Sequence, residues 1–176
     1  MMKITRRQLR RIIKEEIGRS HYRRLRLLRE AEPGIVQSHK EVAVLLGKLW
    51  NAMGEIGEPG LKQASAAGSP VWDVYSDLSQ IMKLVAAYDK LPDDRRNKKR
   101  AGLSNAIATH ILDIQKSMID QSLFGNKALF GSENWPLAKM IQSIVGPLED
   151  KMRSLGHTNL AGIADFLLLS GAGRIS

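Results

Sequence analysis

The sequence predicts an all-α protein, with a single bundle of about five helices behind a basic amphipathic N-terminal helix. Its apolar residues recur at the three- and four-residue spacing of a helix face, whereas the alternating β-branched and aromatic runs of strands are absent. A hydrophobic fraction of 43% and a charged fraction of 26% are typical of a folded globular protein. The length of 176 residues suits one buried core rather than two.

Residues 1–32 are predicted to form a basic leader helix. Thr5 and Gln8 have the spacing of a capping box, and Ile4 and Leu9 have that of the hydrophobic staple around the same cap. The leader contains 11 Lys and Arg against 4 Glu, so it carries +7 of the chain's formal charge of +9. The basic residues of the leader that we expect to contact a partner are Arg6, Arg7, Arg10, Arg11, Lys14, Arg23, Arg24 and Arg26.

The leader leaves three interpretations open. The first is a solvated helix whose apolar stripe, from Leu9 to Leu28, packs on the rest of the chain. The second is binding to DNA, RNA or an acidic protein surface, because a dense basic face attracts anions over a long range. The third is an organelle transit peptide, but Glu15, Glu16 and Glu30 argue against it since such peptides are poor in acidic residues.

The predicted helical-bundle domain covers residues 33–176, because Pro33 and Gly34 interrupt the helical pattern after the leader. The most apolar stretch of this domain, residues 160–173, is shorter than the roughly 20 residues that a membrane-spanning helix needs. It is therefore predicted to be a buried helix. With no cysteine in the chain, disulfides, thiolate zinc sites and cysteine nucleophiles are excluded.

Ser38 and Glu41 form a second capping box, which predicts that the first helix of this domain starts there. Apolar residues follow at helical spacing until Gly54, where we expect the helix to end. Residues 57–69 are rich in Gly, Ala and Ser, and this composition predicts a flexible loop.

Ser69 and Pro70 predict the start of the next helix, and Pro92 predicts its end. The helix after it is predicted from Asp93 to Gly125. It opens on a second basic cluster, which we interpret either as a solvated turn or as a phosphate contact. The residues of this cluster are Arg95, Arg96, Lys98, Lys99 and Arg100.

Residues 124–134 contain two glycines, and we expect them to form a loop whose two phenylalanines tuck into the core. Beyond it, apolar positions keep helical phase across Gly146 and Pro147. That continuity predicts one kinked helix over residues 137–155. A last short helix is predicted over residues 160–167.

No recognised catalytic, metal or cofactor motif occurs, and no enzyme activity is predicted. The four histidines are widely scattered, and no two of them have the three- or four-residue spacing of a helical histidine pair that binds a metal ion. His110 is predicted to be a hydrogen-bonded core residue, while Glu149 and Asp150 are predicted to be surface charges. The three tryptophans are predicted to be packing anchors, and they are Trp50, Trp72 and Trp135.

Residues 2–16, MKITRRQLRRIIKEE, resemble the start that is shared by many otherwise dissimilar proteins of marine tailed phages. This segment, less than a tenth of the chain, is similar in kind to the capsid-targeting leaders of large contractile-tailed phages. Those leaders are removed by a prohead protease that cuts after Glu in a Leu-x-Glu or Ile-x-Glu context. Leu28-Arg29-Glu30 fits that context. The domain from Pro33 onward resembles no family that we can name.

The resemblance implies a non-enzymatic phage protein, structural or associated with the virion and its proteins, found in the host cytoplasm or in the particle. One alternative is a nucleic-acid-binding accessory protein that uses the leader and the cluster at residues 95–100. Another is a small enzyme of unrecognised type.

Overall fold

The structure is a computed structural model that describes residues 33–156 and 159–170. These residues form five α-helices and one 3-10 helix without any strand, which confirms the predicted all-α fold class. The helices are α1 (Pro33–Ala66), α2 (Val71–Asp89), α3 (Asp93–Ser117), the 3-10 helix (Gln121–Phe124), α4 (Lys127–Leu155) and α5 (Leu160–Ser170). The predicted leader, residues 1–32, lies outside the described residues.

One face of each helix supplies the core. In α3 the predicted apolar face is confirmed, because Ile107, Ile111 and Ile114 are completely buried. Each such side chain contributes about 1.5–3 kcal/mol relative to an exposed one. The largest fully buried side chains of the core are Leu49, Met53, Leu61, Leu78, Ile107, Ile111, Ile114, Met118, Phe124, Ile141, Leu148 and Met152.

Helix α1 begins at Pro33 rather than Ser38 and continues past Gly54, so both predicted ends of this helix are wrong. Pro33 stands at the first helical position, where its missing N–H would have no intrahelical partner in any case. Gly57 adopts φ 75° and ψ 159°, a conformation that glycine tolerates, and the helix resumes after it. The predicted loop at 57–69 is therefore helical over most of its length.

Helix α4 begins inside the predicted loop at 124–134, so that prediction is also wrong. The side chain of Asn126 caps its first turn, and Gly131 interrupts the helix at φ 73° and ψ 170°. Both phenylalanines of the segment are buried, as predicted. The predicted continuation of the helix through Gly146 and Pro147 is confirmed, since α4 keeps helical geometry there.

Helix α3 ends at Ser117 and not at the predicted Gly125. A competing local hydrogen bond explains the early end, because the carboxylate of Asp120 accepts from the N–H of Ser122 at 3.1 Å and starts the 3-10 helix. The predicted start of α2 is one residue too early, because the helix begins at Val71 with Pro70 and not Ser69 as its N-cap residue. The Oγ of Ser69 still accepts from the N–H of Val71 at 3.4 Å.

Polar contacts join helices that are far apart in sequence. His110 Nδ1 of α3 lies 2.8 Å from Asp77 Oδ1 of α2, so His110 is hydrogen-bonded as predicted, although it is half-buried and not a core residue. Lys151 of α4 pairs with Glu41 of α1. These directional contacts help to fix the orientation of the helices, which the non-directional packing of the core does not specify.

Helices α1 and α5 meet where His39 packs against Gly162. A Cβ atom added at Gly162 would lie 2.3 Å from His39 Cε1, so glycine is required for this close approach. His39 is buried, and its Nε2 has no hydrogen-bond partner among the described residues. Burial lowers the pKa of His39 below 6.5, because the interior disfavours the charged imidazolium.

We predict that Gly162→Ala lowers the free energy of unfolding by about 1–3 kcal/mol, since the new methyl group has to displace a buried imidazole. The matched control is Gly102→Ala on the exposed face of α3, where nothing lies within 4 Å of the added Cβ. That control should gain about 0.5–1 kcal/mol of stability from the better helix former. Chemical denaturation followed by circular dichroism measures both, and an unchanged Gly162→Ala protein would contradict the packing.

We predict that acid destabilises the bundle through His39. Because its folded-state pKa lies below the unfolded value of 6.5, the unfolded chain binds the proton more tightly, and stability falls as pH drops through 6.5. Thermal midpoints measured between about pH 7.5 and about pH 5.5 should fall more for the wild type than for His39→Leu, which cannot titrate. Parallel pH profiles for the two proteins would remove His39 as the cause.

Candidate binding surface

The positive charge of the helical domain is concentrated where α2 passes into α3. Residues 89–100 contain six Lys and Arg against three Asp, a net charge of +3. The rest of residues 33–176 contains ten Lys and Arg against eleven acidic residues, a net charge of −1. We call residues 89–100 the basic corner. Its excess of positive charge would attract an anion that approaches this domain.

Arg96 stabilises the basic corner through hydrogen bonds to two backbone carbonyls of the same segment. Its Nε donates to the carbonyl oxygen of Leu91 at 2.7 Å, and its Nη2 donates to that of Asp89 at 2.6 Å. Asp89 is the last residue of α2, where a helix leaves its carbonyls without backbone donors, and Leu91 lies two residues beyond that end. The guanidinium also lies 5.8 Å from the ring centre of Tyr88. Arg96 therefore has a structural role as a C-terminal cap.

Arg100 connects the basic corner to α5 through an ion pair. Its Nε donates to Oδ1 of Asp165 at 3.3 Å, and its side chain is only 15% exposed. One turn further along α3, the hydroxyl of Ser104 donates to the carbonyl of Ala161 at 3.5 Å. The arginine is thus paired within the fold, and α3 is held on α5 at two successive turns.

Arg95, Lys98 and Lys99 are exposed and form no salt bridge with any acidic side chain among the described residues. Their i, i+3, i+4 spacing places them on one face of α3. We call these three residues the cationic face. The structure therefore divides the predicted basic cluster into two arginines with internal partners and three cations that are displayed to solvent.

Trp50 of α1 and Trp72 of α2 both pack against the ring of Tyr75. Trp50 stacks on Tyr75 with ring centres 4.8 Å apart and an interplanar angle of 6°, and Trp72 lies 5.8 Å from the same ring. Lys62 covers Trp72 at 4.6 Å. The rings pack against the core, which confirms Trp50 and Trp72 as packing anchors.

Trp135 is half-buried near the break in α4. The ammonium groups of Lys127 and Lys139 lie 5.4 Å and 4.3 Å from its ring centre. Such contacts stabilise an exposed site by about 0.5–1 kcal/mol each. The ring of Trp135 is therefore in cation–π contact with two lysines of its own helix, α4.

Glu149 corrects a sequence prediction, because it is buried, at 4% exposure, rather than a surface charge. It pairs with Arg153 one turn later, and its Oε2 accepts from Nε2 of Gln121 in the 3-10 helix at 3.4 Å. Helical phase carried a signal for this burial, since Glu149 follows Val145 by four positions and precedes Met152 by three. The same helical spacing places His39 on the buried face of α1, since it precedes the buried Val42 by three positions. The burial of His39 was not predicted from the sequence.

Neither a metal site nor a membrane-spanning helix is found among the described residues. In residues 33–156 and 159–170, no group of three His, Cys, Asp or Glu side chains is placed to hold a metal ion. No helix in these ranges has the length and apolar character to span a membrane. The predicted cleavage residues Leu28 and Glu30 lie outside the described residues. So do the predicted contact residues Arg6, Arg7, Arg10, Arg11, Lys14, Arg23, Arg24 and Arg26.

Comparison of the chain with protein-family models, with curated proteins and with solved structures gives no match. The resemblance of residues 2–16 to phage leaders stays a prediction. Function is therefore inferred from the charges and contacts of this chain.

We predict that Arg96→Gln lowers the free energy of unfolding by about 1.5–3 kcal/mol, because the carbonyl of Asp89 at the end of α2 and that of Leu91 just after it lose a charged donor. Lys99→Gln, which removes the same charge from an exposed position three residues later, should change it by less than about 0.5 kcal/mol. Urea denaturation of both variants measures the difference. Equal effects would show that Arg96 acts through net charge and not as a cap.

Proposed function

We propose that this protein is a non-enzymatic component of a phage particle and that its basic leader directs it there. The observation that carries the proposal is the separation of charge along the chain. Residues 1–32 hold +7, whereas residues 33–176 hold only +2 from 16 Lys and Arg and 14 acidic residues. Dense positive charge in a short segment attracts an acidic or phosphate-bearing surface without help from the rest of the fold.

The predicted cut after Glu30 is compatible with the structure that follows it. Helix α1 begins at Pro33, so cleavage would leave the five described helices intact with two residues ahead of α1. Residues 1–30 contain 11 Lys and Arg against 3 Glu, so the cut would remove +8 of the +9 charge. A leader that is removed in this way acts as a temporary address, and the product is a nearly neutral helical domain.

We predict that a chain with a C-terminal tag enters particles and that intact-mass measurement of purified mature particles finds it beginning at Ala31. Glu30→Gln should block the cut and leave the full-length mass. Glu32→Gln, which removes the same charge outside the Leu-x-Glu context, should be cleaved normally.

Absence of the tagged chain from purified particles would contradict the proposed function. A particle-bound chain that keeps residues 1–30 would contradict only the cleavage and leave the leader as a permanent binding element. A chain beginning at Glu16 would move the cut to Ile13-Lys14-Glu15, which has the same context.

A further inference from the structure

We propose that the cationic face of α3, formed by Arg95, Lys98 and Lys99, is a second anion-binding site that contacts the phosphate backbone of a nucleic acid. This site belongs to the helical domain and does not depend on the leader or on the proposed targeting to particles. It lies within the basic corner, whose net charge of +3 exceeds that of the whole helical domain.

The cationic face is held in position by the fold. Arg96 binds the end of α2, and Arg100 and Ser104 bind α5, so the first three turns of α3 are fixed from two sides. The three cations thus project from a helix whose orientation is already set. Binding to a rigid site avoids the entropy cost of ordering a loop.

On its C-terminal side, the cationic face is followed by a stretch of α3 that carries no acidic residue. Between Arg95 and Leu112 the helix has no acidic residue, and the next one, Asp113, lies about 21 Å beyond Lys99 along the helix axis. A linear polyanion that follows this face therefore meets no like charge on α3 over several turns. Each cation in contact with a phosphate releases counterions from the nucleic acid, which drives binding.

The neighbouring side chains favour a nucleic acid over an acidic protein surface. Ala101, Gly102 and Asn105, which follow the cationic face along α3, are exposed, and a Cβ added at Gly102 would find nothing within 4 Å. A stable protein interface needs large apolar or aromatic anchors at its centre, and these residues supply none. Contacts to phosphates need only cations and room for the backbone to approach.

The test measures binding of the full chain to a labelled DNA duplex of arbitrary sequence over a series of salt concentrations. The variant Arg95→Gln, Lys98→Gln, Lys99→Gln should reduce the slope of log affinity against log salt by about 2–3, since each phosphate contact contributes about 0.9. The matched control replaces three other exposed lysines by Gln and has the same net charge. These control residues are Lys40, Lys48 and Lys83.

The slope of the control should stay at the wild-type value. Both measurements are repeated in a chain in which Arg6, Arg7, Arg10 and Arg11 are replaced by Gln, so that the leader does not mask the α3 contact. Far-UV circular dichroism confirms folding, which the exposed substitutions are expected to preserve.

Equal reductions in the α3 variant and in the control would overturn the proposal, because net charge alone would then explain binding. An unchanged slope in the α3 variant, or no binding to the duplex at low salt, would also overturn it. Polyglutamate that competes as well as DNA at equal charge would assign the face to acidic proteins instead. None of these outcomes depends on whether the chain enters particles.

Discussion

Burial of the apolar face of α3 is the interaction on which the described fold depends. Helix α3 packs against both α2 and α5, and its completely buried residues Ile107, Ile111 and Ile114 lie on one helical stripe. The polar contacts of α3 surround this stripe: His110 reaches α2, and Arg100 reaches α5. These contacts orient the helices, but each contributes far less than the burial of an isoleucine, because partly exposed ion pairs contribute about 0–1 kcal/mol. Apolar packing therefore supplies the stability, and the polar contacts select the arrangement.

Gly57 in α1 and Gly131 in α4 interrupt two long helices and allow each of them to change direction within the bundle. Gly57 and Gly131 have nearly the same backbone conformation, with φ near the left-handed region and an extended ψ. Each break changes the direction of a helix at the cost of a few backbone hydrogen bonds. Near these breaks the two helices come close, since a Cβ added at Gly60 would lie 3.1 Å from Nδ2 of Asn134. The small size of Gly60 thus brings the second part of α1 against α4.

The two proposed anion contacts have different physical characters. The leader concentrates positive charge in a short segment, and its attraction to anions depends on charge density more than on geometry. The cationic face of α3 has fewer charges, but Arg96 and Arg100 hold its helix in one orientation. Removal of the leader would therefore weaken general attraction and leave the positioned contact on the helical domain.

The amino-acid sequence alone was enough to predict the all-α class, the apolar face of α3 and, to within one residue, the start of α2. Each of these follows from local capping, proline geometry or helical period, and tertiary contacts agree with the local preference. The continuation of α1 past Gly54 was not predicted, because Gly57 and Pro59 are compatible with either a loop or a broken helix, and packing selected the helix. Buried Glu149 accepts a hydrogen bond from Gln121, 28 residues away, and Arg100 pairs with Asp165, 65 residues away. Only the tertiary structure brings such partners together, so only it could decide which charges of the basic cluster stabilise the fold and which are displayed.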